Sequence, residues 1–83
     1  MKPVKIYTTT YCGFCSRAKD FLRNKGVAYE EIDVTSDDAM RARLVELTER
    51  RTVPQIFIGE EAIGGYTDLV KLDHAGRLDP MLA

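Results

Sequence analysis

The sequence predicts an α/β fold: a four-stranded mixed β-sheet flanked by three α-helices. Three observations lead there. Short β-rich runs alternate with longer stretches of helical spacing. Glycines and prolines fall at the seams between them. The order reads βαβ, then α, then ββα, and a βαβ start forms a right-handed parallel crossover.

Val4-Lys5-Ile6-Tyr7-Thr8 alternates and is β-rich, which predicts the first strand. Thr9-Thr10-Tyr11 leads out of it. A helix should begin at Cys12 or Gly13, with Phe14, Ala18, Phe21 and Leu22 at helical spacing and Gly26 as its stop. Val27 to Val34 reads as the next strand, with Ala28, Ile32 and Val34 on one face and Glu31 and Asp33 on the other. Thr35 and Asp38 have capping-box spacing, so a second helix should open there and bury Met40, Leu44 and Leu47. Arg50 and Arg51 would lie at its C-terminal end, where the dipole favours cations.

Val53-Pro54 breaks the chain, and Gln55-Ile56-Phe57-Ile58 is a short strand. Gly59-Glu60-Glu61 is a turn to a further strand at Ala62-Ile63. After Gly64-Gly65, Thr67 can cap a last helix carrying Leu69, Val70 and Leu72 and closed by Gly76. The tail, residues 77–83, can dock through Leu78, Met81 and Leu82.

Eighty-three residues suffice for one domain, taken as 1–83, with one modest core. The net charge of −1 calls for neither nucleic acid nor an anionic membrane as partner. Apolar runs such as Ile56-Phe57-Ile58 are too short to span a bilayer, and the start lacks a secretory apolar stretch. A cytoplasmic location is therefore expected. A lone C-x-x-C pair in a reducing compartment is more often reactive than structural.

That pair is Cys12 and Cys15. Cys12 falls just after a strand and at a helix start, where unpaired N–H groups and the dipole favour an anion. C-x-x-C sites of this type reach thiol pKa values of roughly 3.5 to 7. Cys12 is thus the expected nucleophile, and its sulfur should also leave well. Cys15 lies about one turn on, more buried, and suits the resolving role. Gly13 permits close approach of a partner backbone, and Phe14 offers it apolar surface. A zinc site would need four ligands, and the only other candidate donor of the usual kind, His74, is distant in sequence. Two inert cysteines would leave the strand-to-helix position unexplained.

Three motifs in order now stand out: Cys12-Gly13-Phe14-Cys15, Arg51-Thr52-Val53-Pro54 and Gly64-Gly65-Tyr66-Thr67-Asp68. On these, from about Val4 to Leu82, the sequence resembles the bacterial glutaredoxins, a branch of the thioredoxin fold. The resemblance implies a glutathione-dependent thiol–disulfide oxidoreductase that reduces protein–glutathione mixed disulfides and protein disulfides. It implies a cis Pro54 facing the sulfurs and a Val53 backbone free to pair with glutathione. It places the γ-glutamyl carboxylate at the last helix start, near the N–H groups of Tyr66 and Thr67. Arg51 would meet the glycyl carboxylate. The glutathione-binding residues it implies are Tyr11, Phe14, Arg51, Thr52, Val53, Pro54, Gly65, Tyr66, Thr67 and Asp68.

There are two departures from the family pattern. Many glutaredoxins carry lysine three residues before the first cysteine, where this chain has Thr9. Between the cysteines, Gly13-Phe14 replaces the common proline-tyrosine and is like the loop of single-cysteine members. That loop supports an alternative: a dimer holding a [2Fe–2S] cluster on Cys12 of each chain and two glutathiones. Otherwise a monomer is expected. A third reading is an electron donor to ribonucleotide reductase. Donors reduced by thioredoxin reductase usually carry a Trp-Ser-Gly-Phe-Arg-Pro stretch, and this chain has no tryptophan.

Overall fold

The structure is a computed structural model describing residues 1–83. Its strands are β1 (Val4–Thr8), β2 (Glu30–Asp33), β3 (Gln55–Ile58) and β4 (Glu61–Gly64). Its helices are α1 (Gly13–Asn24), α2 (Asp38–Thr48), α3 (Tyr66–His74) and α4 (Leu78–Leu82). The fourth, short helix is the C-terminal tail, expected only to dock. The sheet order is β2-β1-β3-β4, with β1 parallel to β2 and antiparallel to β3, and β3 antiparallel to β4. The mixed thioredoxin-like sheet is as expected.

Alternation along β1 and β3 builds the core. Val4 faces Ile58 and Ile6 faces Ile56, so four branched residues share one face. Ala18 and Leu22 of α1, Val27, Leu69 of α3, and Leu78 and Leu82 of α4 complete this cluster. Each fully buried Leu or Ile contributes roughly 1.5–3 kcal/mol. On the other face Tyr7 packs edge-on against Phe57, at 5.5 Å between ring centroids. There α2 approaches, and its Leu47 and Thr48 share a groove with Gln55.

Four local expectations are corrected. First, β2 is four residues long, not eight, because it pairs only with β1 over Glu30–Asp33. Val27 is buried and Ala28 exposed, since residues 27–29 precede the ladder and do not follow its alternation. On this edge strand Glu30, Glu31 and Asp33 are exposed.

Second, α2 is capped by Asp37, whose carboxylate accepts the Met40 N–H at 3.0 Å. Thr35 is engaged elsewhere: its N–H and hydroxyl donate to Asp33, and it accepts the Thr10 N–H. Third, the buried α2 residue is Leu44, whereas Leu47 is 53% exposed. The helix ends at Thr48, and Glu49 closes it in the left-handed region at φ 60°. Arg50 and Arg51 therefore lie in the loop beyond it. Fourth, Gly65 rather than Thr67 caps α3. Its N–H donates to the Asp68 carboxylate at 2.9 Å. No helix is long and apolar enough to cross a membrane.

Candidate active site

β1 delivers the chain to its upper end, and Thr9 to Tyr11 carry it into α1. That loop is pinned to the end of β2 by the Thr10 N–H, which donates to the Thr35 hydroxyl at 2.8 Å. Asp33 accepts two hydrogen bonds from Thr35, and these, with Thr10, hold its carboxyl below its ordinary range. On the neighbouring strand position, buried Thr8 donates to Glu31 at 2.8 Å and Lys19 pairs with the same oxygen at 3.0 Å. The Thr8 hydroxyl, then Lys19, lowers the Glu31 pKa.

Cys12 is the N-cap of α1, and its sulfur accepts the Cys15 N–H at 3.0 Å. The Cys12 and Cys15 sulfurs are at disulfide-bonding distance, with Cα atoms 5.2 Å apart. Their surroundings differ. Cys15 is only 1% exposed, because it shares the buried face of α1 with Ala18 and Leu22. Cys12 is half-buried at the rim. Beside it a Cβ on Gly13 would meet nothing within 4 Å, so the approach over Gly13 is open.

The Val53–Pro54 peptide is cis. The Val53 carbonyl oxygen lies 3.5 Å from Cys12 Sγ. Buried Gln55 holds this loop from below, with Nε2 donating to the Thr52 carbonyl at 2.8 Å, while its Oε1 has no partner within the protein. Across the loop, a Cβ on Gly65 would come 3.3 Å from the Pro54 carbonyl, so α3 starts in direct contact with it.

Between these segments runs an open groove of about 380 Å³, lined by Phe14, Arg50, Thr52, Val53, Pro54, Gly65, Tyr66, Thr67 and Asp68. Phe14 is 54% exposed, 6.3 Å from the Tyr66 ring, with the Arg17 guanidinium 5.4 Å above its own. Eight of the ten residues expected at a ligand site therefore converge here. The other two do not line it. Tyr11 is 94% exposed. Arg51 lines a neighbouring hollow of about 270 Å³ with Thr9, Arg41 and Val53, and makes no ion pair.

Arg50, not expected at the groove from the sequence, lines it. Its Nη1 donates to Asp68 Oδ2 at 2.8 Å, and this pair, with the Gly65 N–H, draws the Asp68 pKa down. Gly64, at φ 106°, lies under the pair, and a Cβ there would strike the Asp68 carboxylate. Two adjacent arginines in the sequence carried no mark of which one faces the groove. No three His, Cys, Asp or Glu side chains converge anywhere in the structure.

A thiol pair at a helix start, facing a cis proline on a thioredoxin-like sheet, defines a thiol–disulfide oxidoreductase. The glutaredoxin family model matches residues 4–63, and the chain belongs to that family. It is 47% identical to a glutaredoxin of Pseudomonas aeruginosa over 83 residues, covering 100% of this chain and 99% of that protein. It is 45% identical to glutaredoxin 3 of Escherichia coli K12 over 82 residues, 99% of each. Among solved structures, the buckwheat glutaredoxin–glutathione complex superposes with a TM-score of 0.92 at 38% identity, over 98% of this chain and 76% of that one.

Proposed function

We propose that this glutaredoxin is a glutathione-dependent enzyme that reduces protein–glutathione mixed disulfides through Cys12. The observation that carries this is the groove that runs from beside the Cys12 sulfur, past the Val53–Pro54 loop, to the start of α3. Its chemistry complements glutathione. An open backbone edge meets a peptide, and a helix start meets a carboxylate. The carboxylate of Asp68 meets an ammonium group. The solved buckwheat relative is a glutathione complex.

The reaction follows from the unequal cysteines. In the reduced enzyme the Cys15 N–H and the helix start favour negative charge on Cys12 Sγ. That thiolate attacks the glutathione sulfur of the mixed disulfide. A Cys12–glutathione disulfide forms, and the protein thiolate leaves and takes up a proton. A second glutathione thiolate attacks the glutathione sulfur, releases glutathione disulfide and returns Cys12 as thiolate. For a protein disulfide, Cys12 forms the mixed disulfide and Cys15 displaces it, leaving the pair oxidised. Clients of this second route include, on this reading, ribonucleotide reductase.

The test uses Cys15→Ser with Cys12→Ser as the blank, on a glutathionylated peptide with glutathione as reductant. Cys15→Ser should keep turnover and Cys12→Ser should lose it. A wild type without glutathione-dependent turnover rules the reading out.

A second reading is supported by the open space around Gly13. Cys12 is the one reachable sulfur, so a [2Fe–2S] cluster would take a thiolate from each of two chains and two glutathiones. Thiolates suit such clusters. Visible absorbance together with a dimer that dissociates on chelation would establish it.

A further inference from the structure

Asp68 is held in an unusual way. Both of its hydrogen bonds within the protein fall on one oxygen: Oδ2 accepts Arg50 Nη1 at 2.8 Å and the Gly65 N–H at 2.9 Å. Oδ1 accepts no hydrogen bond within the protein, and Asp68 is one of the residues lining the groove. The main chain at Arg50 is held, because its backbone N–H donates to the Thr48 hydroxyl at 3.1 Å, and that hydroxyl donates to the Leu44 carbonyl at the end of α2. The pair occupies space left by the missing side chain of Gly64, where a Cβ would lie 2.9 Å from Arg50 Nη1. Arg50 thus ties the end of α2 to the start of α3 across one end of the groove.

We propose that Arg50 is a positioning residue for glutathione: by taking Asp68 Oδ2, it presents Oδ1 to the α-ammonium group of the γ-glutamyl moiety. This rests on the glutathione reading above. The charges suit the ligand. Glutathione brings two carboxylates and one ammonium, and Arg50 offsets the repulsion that a lone Asp68 would exert on them. The charged groups around Asp68 are Arg50 from the loop after α2, Lys71 on α3, and Glu61 and Arg77 along the adjoining groove. Arg50 and Lys71 both favour the carboxylate form. Without Arg50, Asp68 takes up a proton at higher pH, and ammonium binding then fades earlier on acidification.

The experiment measures glutathione kinetics on a glutathionylated peptide across the acid range for wild type, Arg50→Ala and Arg50→Lys. Arg50→Ala should raise the KM for glutathione about fivefold, as loss of a half-exposed charge-assisted bond does, with kcat within about twofold. Its acid limb in kcat/KM should move to higher pH. Arg50→Lys, which keeps the charge, should recover most of the KM. In an Asp68→Asn background, Arg50→Ala should add little more, since the effect runs through Asp68. An unchanged KM and acid limb in Arg50→Ala overturns the proposal. So does an equal penalty in the Asp68→Asn background. A wild type indifferent to glutathione overturns the functional reading and this inference with it, so the two failures are told apart by the wild type alone.

Discussion

Gly64 and Gly13 each adjoin in sequence a residue that lines the groove, yet demand different things of the chain. Gly64 has φ 106°, and a Cβ would lie 2.8 Å from Asp68 Cγ. Gly13 has neither constraint. Gly64→Ala should therefore destabilise the protein by about 2 kcal/mol, from backbone strain and displacement of the ion pair. Gly13→Ala should be neutral within about 0.5 kcal/mol. Urea unfolding of both reports the difference, and equal losses would mean the space over Gly64 is not needed. The sequence marked Gly64-Gly65 only as the seam before the last helix. The neighbour at Gly64 is the Arg50–Asp68 pair, formed by residues 18 positions apart. Local sequence holds no trace of such a pairing. The placement of Cys12 and Cys15 was legible because it follows from a strand end and a helix start, both local.

Among the elements, β1, α1 and β3 could be read closely, because each carries a strong period bounded by Gly, Pro or a capping residue. The start of α2 could not be, because Thr35 is drawn away by Thr10 and Asp33 and leaves the cap to Asp37. Helix α4 was also not foreseen. Five residues show no period, and their burial depends on what they meet. Leu78 is fully buried within the core cluster, whereas Leu47 on α2 is 53% exposed. Leu78→Ala should cost about 3 kcal/mol, and Leu47→Ala less than about 0.5 kcal/mol. Thermal melts distinguish these, and a neutral Leu78→Ala would show that α4 does not belong to the core.

For the whole molecule, three carboxylates share one pH dependence. Glu31 is held below 4.5 by the Thr8 hydroxyl, and Asp33 and Asp68 below 3.8 by Thr35 and by Arg50. A depressed folded-state pKa adds stability above the unfolded value, and that stability is lost as pH falls through the folded one. Melting temperature should thus be level near neutrality and fall on acidification below about pH 4.5, the upper of these ordinary values. Glu31→Gln with Asp33→Asn should melt lower at pH 7 and flatten the acid decline. An acid decline as steep as the wild type's would show that other groups govern it. The groove was only partly legible at this scale, since three distant segments meet there and no local signal sets their separation.

The acid row on β2 has a further effect. A sheet with a bare outer strand invites another copy to continue it, strand on strand. Here that strand is four residues long, and Glu30 and Asp33 stand exposed along it. Two such strands brought side by side would set carboxylate against carboxylate, so the row guards this protein against building fibrils from its own open edge.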